Sequence, residues 1–178
     1  MYLTVHAAAG VLIGSYINSA LISFLLGFVS HFFLDMLPHR DGNFPRHGHT
    51  AKSLSKLYFN KIVSLIYFDV CLAIVVAGML FTNNYYFLDQ SIIWGMIGAI
   101  LPDVFQALSF FWKKNRFFKK FNEFHNFLHY ATEKQIPLIL GNLTQLITLF
   151  ILINPLIDFR ILDSGAINQA SEIIKRLI

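Results

Sequence analysis

Residues 27–41 read GFVSHFFLDMLPHRD and close a long apolar run with a histidine and an aspartate four positions apart. Side chains at this spacing lie on one face of a helix. The imidazole of His31 and the carboxylate of Asp35 therefore share a face, and two small residues, Ser23 and Gly27, continue the column toward the N-terminus. One metal ion can contact both polar side chains at this spacing.

The composition separates this chain from water-soluble domains. Of its 178 residues, 56% are hydrophobic and 13% are charged, and the mean hydropathy is +0.57. An ordinary globular chain carries about 25% charged residues. We therefore expect an all-α fold, a polytopic integral membrane helical bundle. Its parts would be an N-terminal helical hairpin or one long helix, three further membrane helices and an interfacial helix, with residues 1–155 forming the bundle and 156–178 a C-terminal tail.

The basic residues cluster beside the apolar segments. Five Lys or Arg lie in residues 39–61 and six in residues 113–134, whereas residues 82–86 have none. The positive-inside rule then places both basic segments in the cytoplasm, as in a prokaryotic-type inner membrane. These basic residues flank apolar spans and form no stripe on a polar face, so nucleic-acid binding is a poor explanation for them. The single cysteine, Cys71, excludes an internal disulfide and a thiolate metal cluster.

The first apolar run, residues 5–37, is about 33 residues long, whereas about 20 residues suffice to cross a bilayer. It is either one tilted helix or a hairpin. Residues 15–19 include side chains that compete with the helix backbone and favour turns or caps. A turn at Asn18 would bring His6 beside His31, whereas a straight helix would hold the two histidines about 37 Å apart.

Two acidic residues lie inside predicted membrane spans. Asp69 belongs to the apolar segment 62–81, and Asp103 follows Pro102 within the segment 87–112. Burying an ionisable side chain in a bilayer is costly unless it is paired or coordinated, so each is a functional candidate. Both lie near the cytoplasmic ends of their segments. Asp69 is predicted to be a metal ligand or to orient one, or else to be a structural acid satisfied by neighbouring hydroxyl groups.

The basic and aromatic segment 113–133 is predicted to form a helix in the membrane interface. It carries His125, His129 and Glu133 at four-residue intervals, a spacing that places metal-binding side chains on one helix face. A last apolar segment follows at residues 136–153.

The candidate ligands all map to the cytoplasmic ends of their segments, which random placement would not be expected to produce. Imidazoles and carboxylates without thiolate suit zinc, and also manganese or iron. Six such ligands would suffice for two ions, which clamp the attacking and leaving oxygens of phosphoryl transfer. The predicted catalytic residues are His39, as a general acid or base, and Asp69. The predicted metal ligands are His6, His31, Asp35, Asp103, His125 and His129.

Three motifs resemble those of the membrane-bound metal-dependent hydrolases, a largely uncharacterised inner-membrane family. Residues 27–35, GFVSHFFLD, resemble the G-[YF]-x-S-H-x-x-L-D signature of that family. Residues 98–103, GAILPD, resemble its G-x-x-L-P-D element, and residues 6–10, HAAAG, resemble its N-terminal H-x-x-x-G.

That family is in turn similar to the all-α zinc-dependent phospholipase C and nuclease group, whose H-x-x-x-D-x-x-x-P-x-H motif contributes ligands to a multi-zinc centre. The corresponding residues here, with shorter spacing, are His31, Asp35, Pro38 and His39. The resemblance covers roughly residues 2–108. It implies a hydrolase that cleaves a phosphoester of a membrane lipid or lipid-linked substrate at the cytoplasmic face. A haem-binding or an ion- or proton-conducting bundle without hydrolytic activity is the alternative.

Overall fold

The computed structural model describes residues 1–39, 64, 67–74, 89–109, 112, 115–133 and 136–163. All regular secondary structure in these residues is helical, so the predicted all-α class is confirmed. Most of the span predicted at residues 62–81 lies outside the described residues. The helices are α1 (Leu3–Tyr16), α2 (Ala20–Asp35), α3 (described at residues 67–74), α4 (Gln90–Ser109), α5 (Arg116–Glu133) and α6 (Leu138–Asp163).

The first apolar run folds into a helical hairpin. α1 ends at Tyr16 and α2 begins at Ala20, with residues 17–19 forming the turn. The Ser19 hydroxyl accepts a hydrogen bond from the backbone N–H of Ile22 and so caps the first turn of α2. The break at this turn excludes the single long helix that the sequence left open.

Two of the described helices are long and apolar enough to cross a membrane, namely α4 and residues Leu138–Leu156 of α6. α1 and α2 are apolar but have 14 and 16 residues, which gives lengths of about 21 and 24 Å. The hydrocarbon core of a bilayer is about 30 Å thick. The predicted set of full membrane crossings is therefore not confirmed, because each helix of the hairpin is shorter than one crossing.

α4 packs against both helices of the hairpin through direct backbone contacts at glycines. A Cβ atom added at Gly10 or at Gly27 would overlap the carbonyl oxygen of Gly95. One added at Gly98 would overlap the carbonyl oxygen of Phe24. Small residues let helix backbones approach closely, and this is how helices associate when their surroundings are apolar.

The same contacts fix the helix directions. Gly10 lies against Gly95, whereas Gly14, one turn later in α1, lies against Ile92, which precedes Gly95 in α4. α1 therefore runs antiparallel to α4, and α2, which reverses direction at the turn, runs parallel to it. The N-terminus of α1 and the C-termini of α2 and α4 meet at one end of the bundle, which we call the site end.

α2 buries its polar face and exposes its apolar one. This is the reverse of a helix in a water-soluble protein, whose apolar stripe faces the core. The column predicted from the sequence is thus the packed face of α2. The buried residues are Ser23, Gly27, His31 and Asp35. The large exposed side chains are all hydrophobic, those of Leu21, Ile22, Leu25, Leu26, Val29 and Phe33.

α6 shows the same inversion. Gln145 is buried, and its side-chain oxygen accepts a hydrogen bond of 2.7 Å from the backbone N–H of Tyr2. The large apolar side chains of Leu146, Ile147 and Phe150 are exposed instead. The buried amide therefore ties α6 to the start of α1.

α6 also continues beyond the end that the sequence suggested. The predicted apolar segment stops two residues before Pro155, but the helix runs through this proline to Asp163. Leu156 packs with Val11 and Ile92 in a small hydrophobic core. α6 thus crosses the predicted boundary between bundle and tail. The packing of Leu156 stabilises the helix next to Pro155, where the proline removes a backbone hydrogen bond.

α5 lies across the site end. Phe121 of α5 makes edge contacts with Phe105 of α4 and with Phe32 of α2, with ring centroids 5.4 and 6.4 Å apart. One turn further along α5, His125 is fully buried. These aromatic contacts bring His125 to the ends of α2 and α4.

Candidate metal centre

Five side chains from four helices converge at the site end, and we call them the His–Asp cluster. They are His6 of α1, His31 and Asp35 of α2, Asp103 of α4 and His125 of α5. Each imidazole Nε2 atom approaches both aspartates, with N–O distances between 3.0 and 3.9 Å. The fold therefore brings together five of the six metal ligands predicted from the sequence.

His31 is held by a backbone hydrogen bond. Its Nδ1 atom lies 2.9 Å from the carbonyl oxygen of Ala99, and because a carbonyl can only accept, Nδ1 carries the proton of the neutral ring. Nε2 then directs its lone pair into the cluster, 2.9 Å from Nε2 of His125 and 3.0 Å from Oδ2 of Asp35. Metal-binding histidines have this arrangement, in which the second N–H is donated to a carbonyl or a carboxylate.

His6 stacks on His31, with ring centroids 4.0 Å apart and ring planes 22° apart. Its Nε2 atom lies 3.2 Å from Oδ1 of Asp35. Neither ring nitrogen of His6 makes a hydrogen bond of acceptable geometry within the described part of the chain. A nitrogen and an oxygen that are close without such a bond are placed as two ligands of one cation would be.

Two overlapping triplets of side chains have ligand atoms close enough to hold a metal ion. In each triplet these atoms all lie within 4.8 Å of one another. Around a tetrahedral zinc ion, bonds of about 2.0–2.1 Å place the ligand atoms about 3.3 Å apart. The spacings of 2.9–3.8 Å between these ligand atoms lie around this value and so suit a divalent ion. The triplets are His6, His31 and Asp35, and His31, Asp103 and His125, so His31 belongs to both.

The charges of the cluster also favour a cation. Asp35 is buried and Asp103 is partly buried, and removing a carboxylate from water is costly unless positive charge compensates it. The Met1 amino group contacts Oδ1 of Asp35 at 3.0 Å. This ammonium compensates one of the two carboxylates, and a cation held by neutral imidazoles would compensate the other. The donor types suit zinc, manganese and iron alike.

The His–Asp cluster is enclosed except on one side. His6, His31, Asp35 and His125 are 0% exposed, whereas the side chain of Asp103 is 24% exposed. Structural zinc sites are closed, but catalytic sites keep one position open. Asp103 therefore marks the side from which solvent can reach the cluster.

His39 lies at the edge of the cluster. It is fully buried, and Nδ1 donates a hydrogen bond of 2.7 Å to the carbonyl oxygen of Leu37. Its Nε2 atom lies 3.9 Å from Oδ1 of Asp35. The catalytic role of His39 stays a prediction. The metal-binding role of His129 also stays a prediction, since the backbone of His129 belongs to α5 but its side chain lies outside the described residues.

Asp69 makes its described contacts at the start of α1. Its carboxylate accepts hydrogen bonds from the backbone N–H groups of Leu3, at 2.6 Å, and Thr4, at 3.2 Å, and from the Thr4 hydroxyl at 2.6 Å. The first N–H groups of a helix have no partner inside the helix, and a carboxylate there is stabilising. Neither triplet includes Asp69. These contacts match the structural alternative, and they hold α1 two residues before His6.

Sequence reasoning missed two contributors to the site. Ala99 acts through its backbone carbonyl, so its side chain carries no signal, and its nearness to His31 depends on the close packing of α2 on α4. Thr4 acts through its hydroxyl. This hydroxyl donates to the carboxylate of Asp69, which lies 65 residues away, so the local sequence does not indicate the contact.

Comparison of the chain with protein-family models, with curated proteins and with solved structures gave no match. The chemistry of the site is therefore inferred from its own residues.

Proposed function

We propose that this protein is an integral-membrane, metal-dependent hydrolase that cleaves a phosphoester of a lipid or lipid-linked substrate at the cytoplasmic face of the membrane. The observation that carries the proposal is the His–Asp cluster, in which three Nε2 atoms and two carboxylates from four helices lie 3.0–3.9 Å apart. Burying so many polar groups in an apolar bundle is costly unless they are paired or coordinate an ion. Hydrolysis is proposed as the activity from the resemblance of residues 27–35 and 98–103 to motifs of the membrane-bound metal-dependent hydrolases.

Each of the two triplets would contribute ligands to a metal ion. His6, His31 and Asp35 would hold one divalent ion, and His31, Asp103 and His125 would hold a second or complete the shell of the first. Zinc is the metal that we propose, with manganese and iron as alternatives. When bound, such a metal polarises phosphoryl oxygens and lowers the pKa of water.

The protein side chains supply position and proton transfer. The exposed edge of Asp103 leaves one side of the cluster open for the reacting group. His39, with Nε2 3.9 Å from Asp35, is close enough to the cluster to take up or release a proton there. The helices packed around the cluster exclude bulk water and so strengthen the electrostatic interactions inside it.

Membrane embedding is supported by the inverted surface. Large apolar side chains cover the outward faces of α2 and α6, whereas His31, Asp35 and Gln145 are buried. α4 and the first part of α6 are long and apolar enough to cross. We propose that the hairpin inserts beside them and that the basic segments at residues 39–61 and 113–134 mark the cytoplasmic side.

The short distance between two histidines argues against the haem alternative. Axial ligands on opposite sides of a haem iron are about 4 Å apart, twice a metal–nitrogen bond of about 2.0 Å, and a porphyrin must fit between them. Nε2 of His31 and Nε2 of His125 are 2.9 Å apart. The two carboxylates beside them have no role as haem ligands.

The proposal is tested by reconstituting the protein in nanodiscs and measuring release of phosphate or head group from phospholipids and from lipid phosphates. We expect activity that a chelator abolishes and that zinc or manganese restores. Asp35→Asn and Asp103→Asn should each remove activity, whereas Asp89→Asn should keep it.

Asp89 is a suitable control because, among the described residues, its carboxylate caps α4 by accepting a hydrogen bond of 2.8 Å from the backbone N–H of Ser91, and an asparagine preserves this cap. Activity that survives in both cluster variants, or that persists in the metal-free protein, would refute the proposal.

A further inference from the structure

The open side of the His–Asp cluster lies at the contact between α4 and α5. Asp103, the one partly exposed member of the cluster, belongs to α4, and His125, buried beneath it, belongs to α5. Oδ1 of Asp103 lies 3.7 Å from Nε2 of His125. Asp103 is therefore the described member of the cluster that a group from outside can reach.

Two side-chain amides flank this contact between α4 and α5. Gln106 follows Asp103 by three residues in α4, and Asn126 directly follows His125 in α5. Nε2 of Gln106 donates a hydrogen bond of 3.2 Å to Oδ1 of Asn126, and both side chains are partly exposed. This pair lies where α4 and α5 otherwise meet through phenylalanines, so the amides are a polar exception beside the open edge of the cluster.

The outer surface of α5 carries more basic than acidic side chains, with Arg116, Lys119 and Lys120 exposed beside Glu123. Lys119 precedes Asn126 by seven residues, two helical turns, so the two share one side of α5. The Lys119 side chain is 71% exposed, and its ammonium lies 4.0 Å from the Glu123 carboxylate. Phe117 and Phe124, also exposed, occupy the other side of the helix. The side that carries the amide thus suits an anionic group, while the other suits acyl chains.

We propose that Gln106 and Asn126 bind the phosphoryl group of the substrate at the mouth of the His–Asp cluster. A side-chain amide offers two N–H donors, and phosphoryl oxygens are strong acceptors. Donors on both helices would hold the phosphoryl group next to Asp103 and His125. This inference rests on the proposed metal centre and adds residues that select for a phosphoryl-bearing ligand.

The test uses the protein loaded with Co²⁺, because a paramagnetic ion broadens the ³¹P signal of any phosphorus that binds beside it. Inorganic phosphate and dihexanoyl phosphatidic acid serve as separate probes. Gln106→Met and Asn126→Leu keep the side-chain volume close to that of the native residue and remove the donors. Asn142→Leu is the matched control, since Asn142 is an amide on α6 that accepts a hydrogen bond from the Tyr2 hydroxyl.

We expect saturable broadening in the native protein and about tenfold or greater weakening in each of the two variants, the size expected for hydrogen bonds to a charged group. Cobalt content should stay unchanged, and Asn142→Leu should bind as the native protein does. Weaker binding of both probes indicates that the amides recognise phosphate itself. Weaker binding of the phosphatidic acid alone indicates that they recognise phosphate as part of a lipid head group.

Native-like binding by Gln106→Met and Asn126→Leu, with cobalt bound, overturns this inference and leaves the metal centre intact. An equal effect of Asn142→Leu also overturns it, because the loss would then be unrelated to the α4–α5 contact. Failure of the native protein to bind cobalt overturns the metal centre and this inference together.

Discussion

Nε2 of His31 and Nε2 of His125 lie 2.9 Å apart, although 94 residues separate the two histidines in the chain. Two nitrogen lone pairs at this distance repel each other unless a proton or a cation lies between them. Since Nδ1 of His31 is already committed to the Ala99 carbonyl, His31 meets this contact with its lone pair. An N–H of His125 or a cation would relieve this contact, and the carboxylates 3.0 and 3.8 Å from the same nitrogen of His31 are the reason for regarding the cluster as a cation site.

The first prediction concerns the tautomer of His31. With zinc bound, ¹⁵N NMR of the histidine side chains should show the His31 proton on Nδ1, because the Ala99 carbonyl accepts it at 2.9 Å. Assignment follows from the loss of this signal in His31→Gln. A His31 ring protonated on Nε2 in the metal-loaded protein would contradict the arrangement.

The second prediction concerns Asp69. Asp69→Ala should lower the free energy of unfolding by about 2 kcal/mol, because the substitution removes a carboxylate that accepts hydrogen bonds from three donors at the start of α1. Asp69→Asn, which keeps one acceptor oxygen, should lower it by less. Titration with SDS of the protein in mixed micelles measures both changes.

If Asp69 is instead a metal ligand, Asp69→Asn should empty the centre while leaving unfolding nearly unchanged. Metal content and unfolding of the same variant therefore separate the capping role from the ligand role.

The third prediction concerns the glycine contacts. Gly98→Ala should destabilise the protein by about 1–3 kcal/mol, because its Cβ would overlap the Phe24 carbonyl oxygen and force α2 away from α4. Metal affinity should fall as well, since His31 would lose its place against Ala99. Val29→Ala, on the exposed face of α2, should change stability by less than about 0.5 kcal/mol, and equal effects of the two substitutions would contradict the packing.

The fourth prediction concerns the outward faces of the bundle. Spin labels placed at Ile147 and Phe150 of α6, which are 51% and 70% exposed, should be accessible to oxygen and shielded from a water-soluble nickel reagent in lipid bilayers. A label at Lys120, on the exposed side of α5, should show the opposite. Cys71→Ser provides the background for labelling. High nickel accessibility at Ile147 would contradict insertion of this face.

The polar column of α2 could be predicted because its residues belong to one helix and their spacing alone decides which side chains share a face. The hairpin could be stated only as one of two alternatives, since Asn18 and Ser19 permit a turn without requiring one. What decides it is the packing of Gly10 and Gly27 on the same glycine of α4, a relationship that a single sequence does not contain.

The place of His125 in the cluster depends on long-range packing. Its spacing to His129 predicts a ligand pair within α5, and among the described residues His125 also contacts Asp35 and Asp103, on two other helices. Contacts of Phe121 with α2 and α4 place His125 in the cluster. In a segment rich in phenylalanine, the sequence does not indicate which residues each ring will contact. Pro155 suggests the end of a helix in the sequence, but α6 continues past this proline because Leu156 packs against other helices.

The most direct measurement is the metal content of the native protein purified in lipid nanodiscs, determined by elemental analysis beside His31→Ala and His125→Ala. We predict at least one divalent ion for each native chain, near-complete loss in His31→Ala, and partial loss in His125→Ala, because His31 belongs to both triplets and His125 to one. A native protein that folds and stays free of metal after incubation with zinc, manganese and iron would contradict the account.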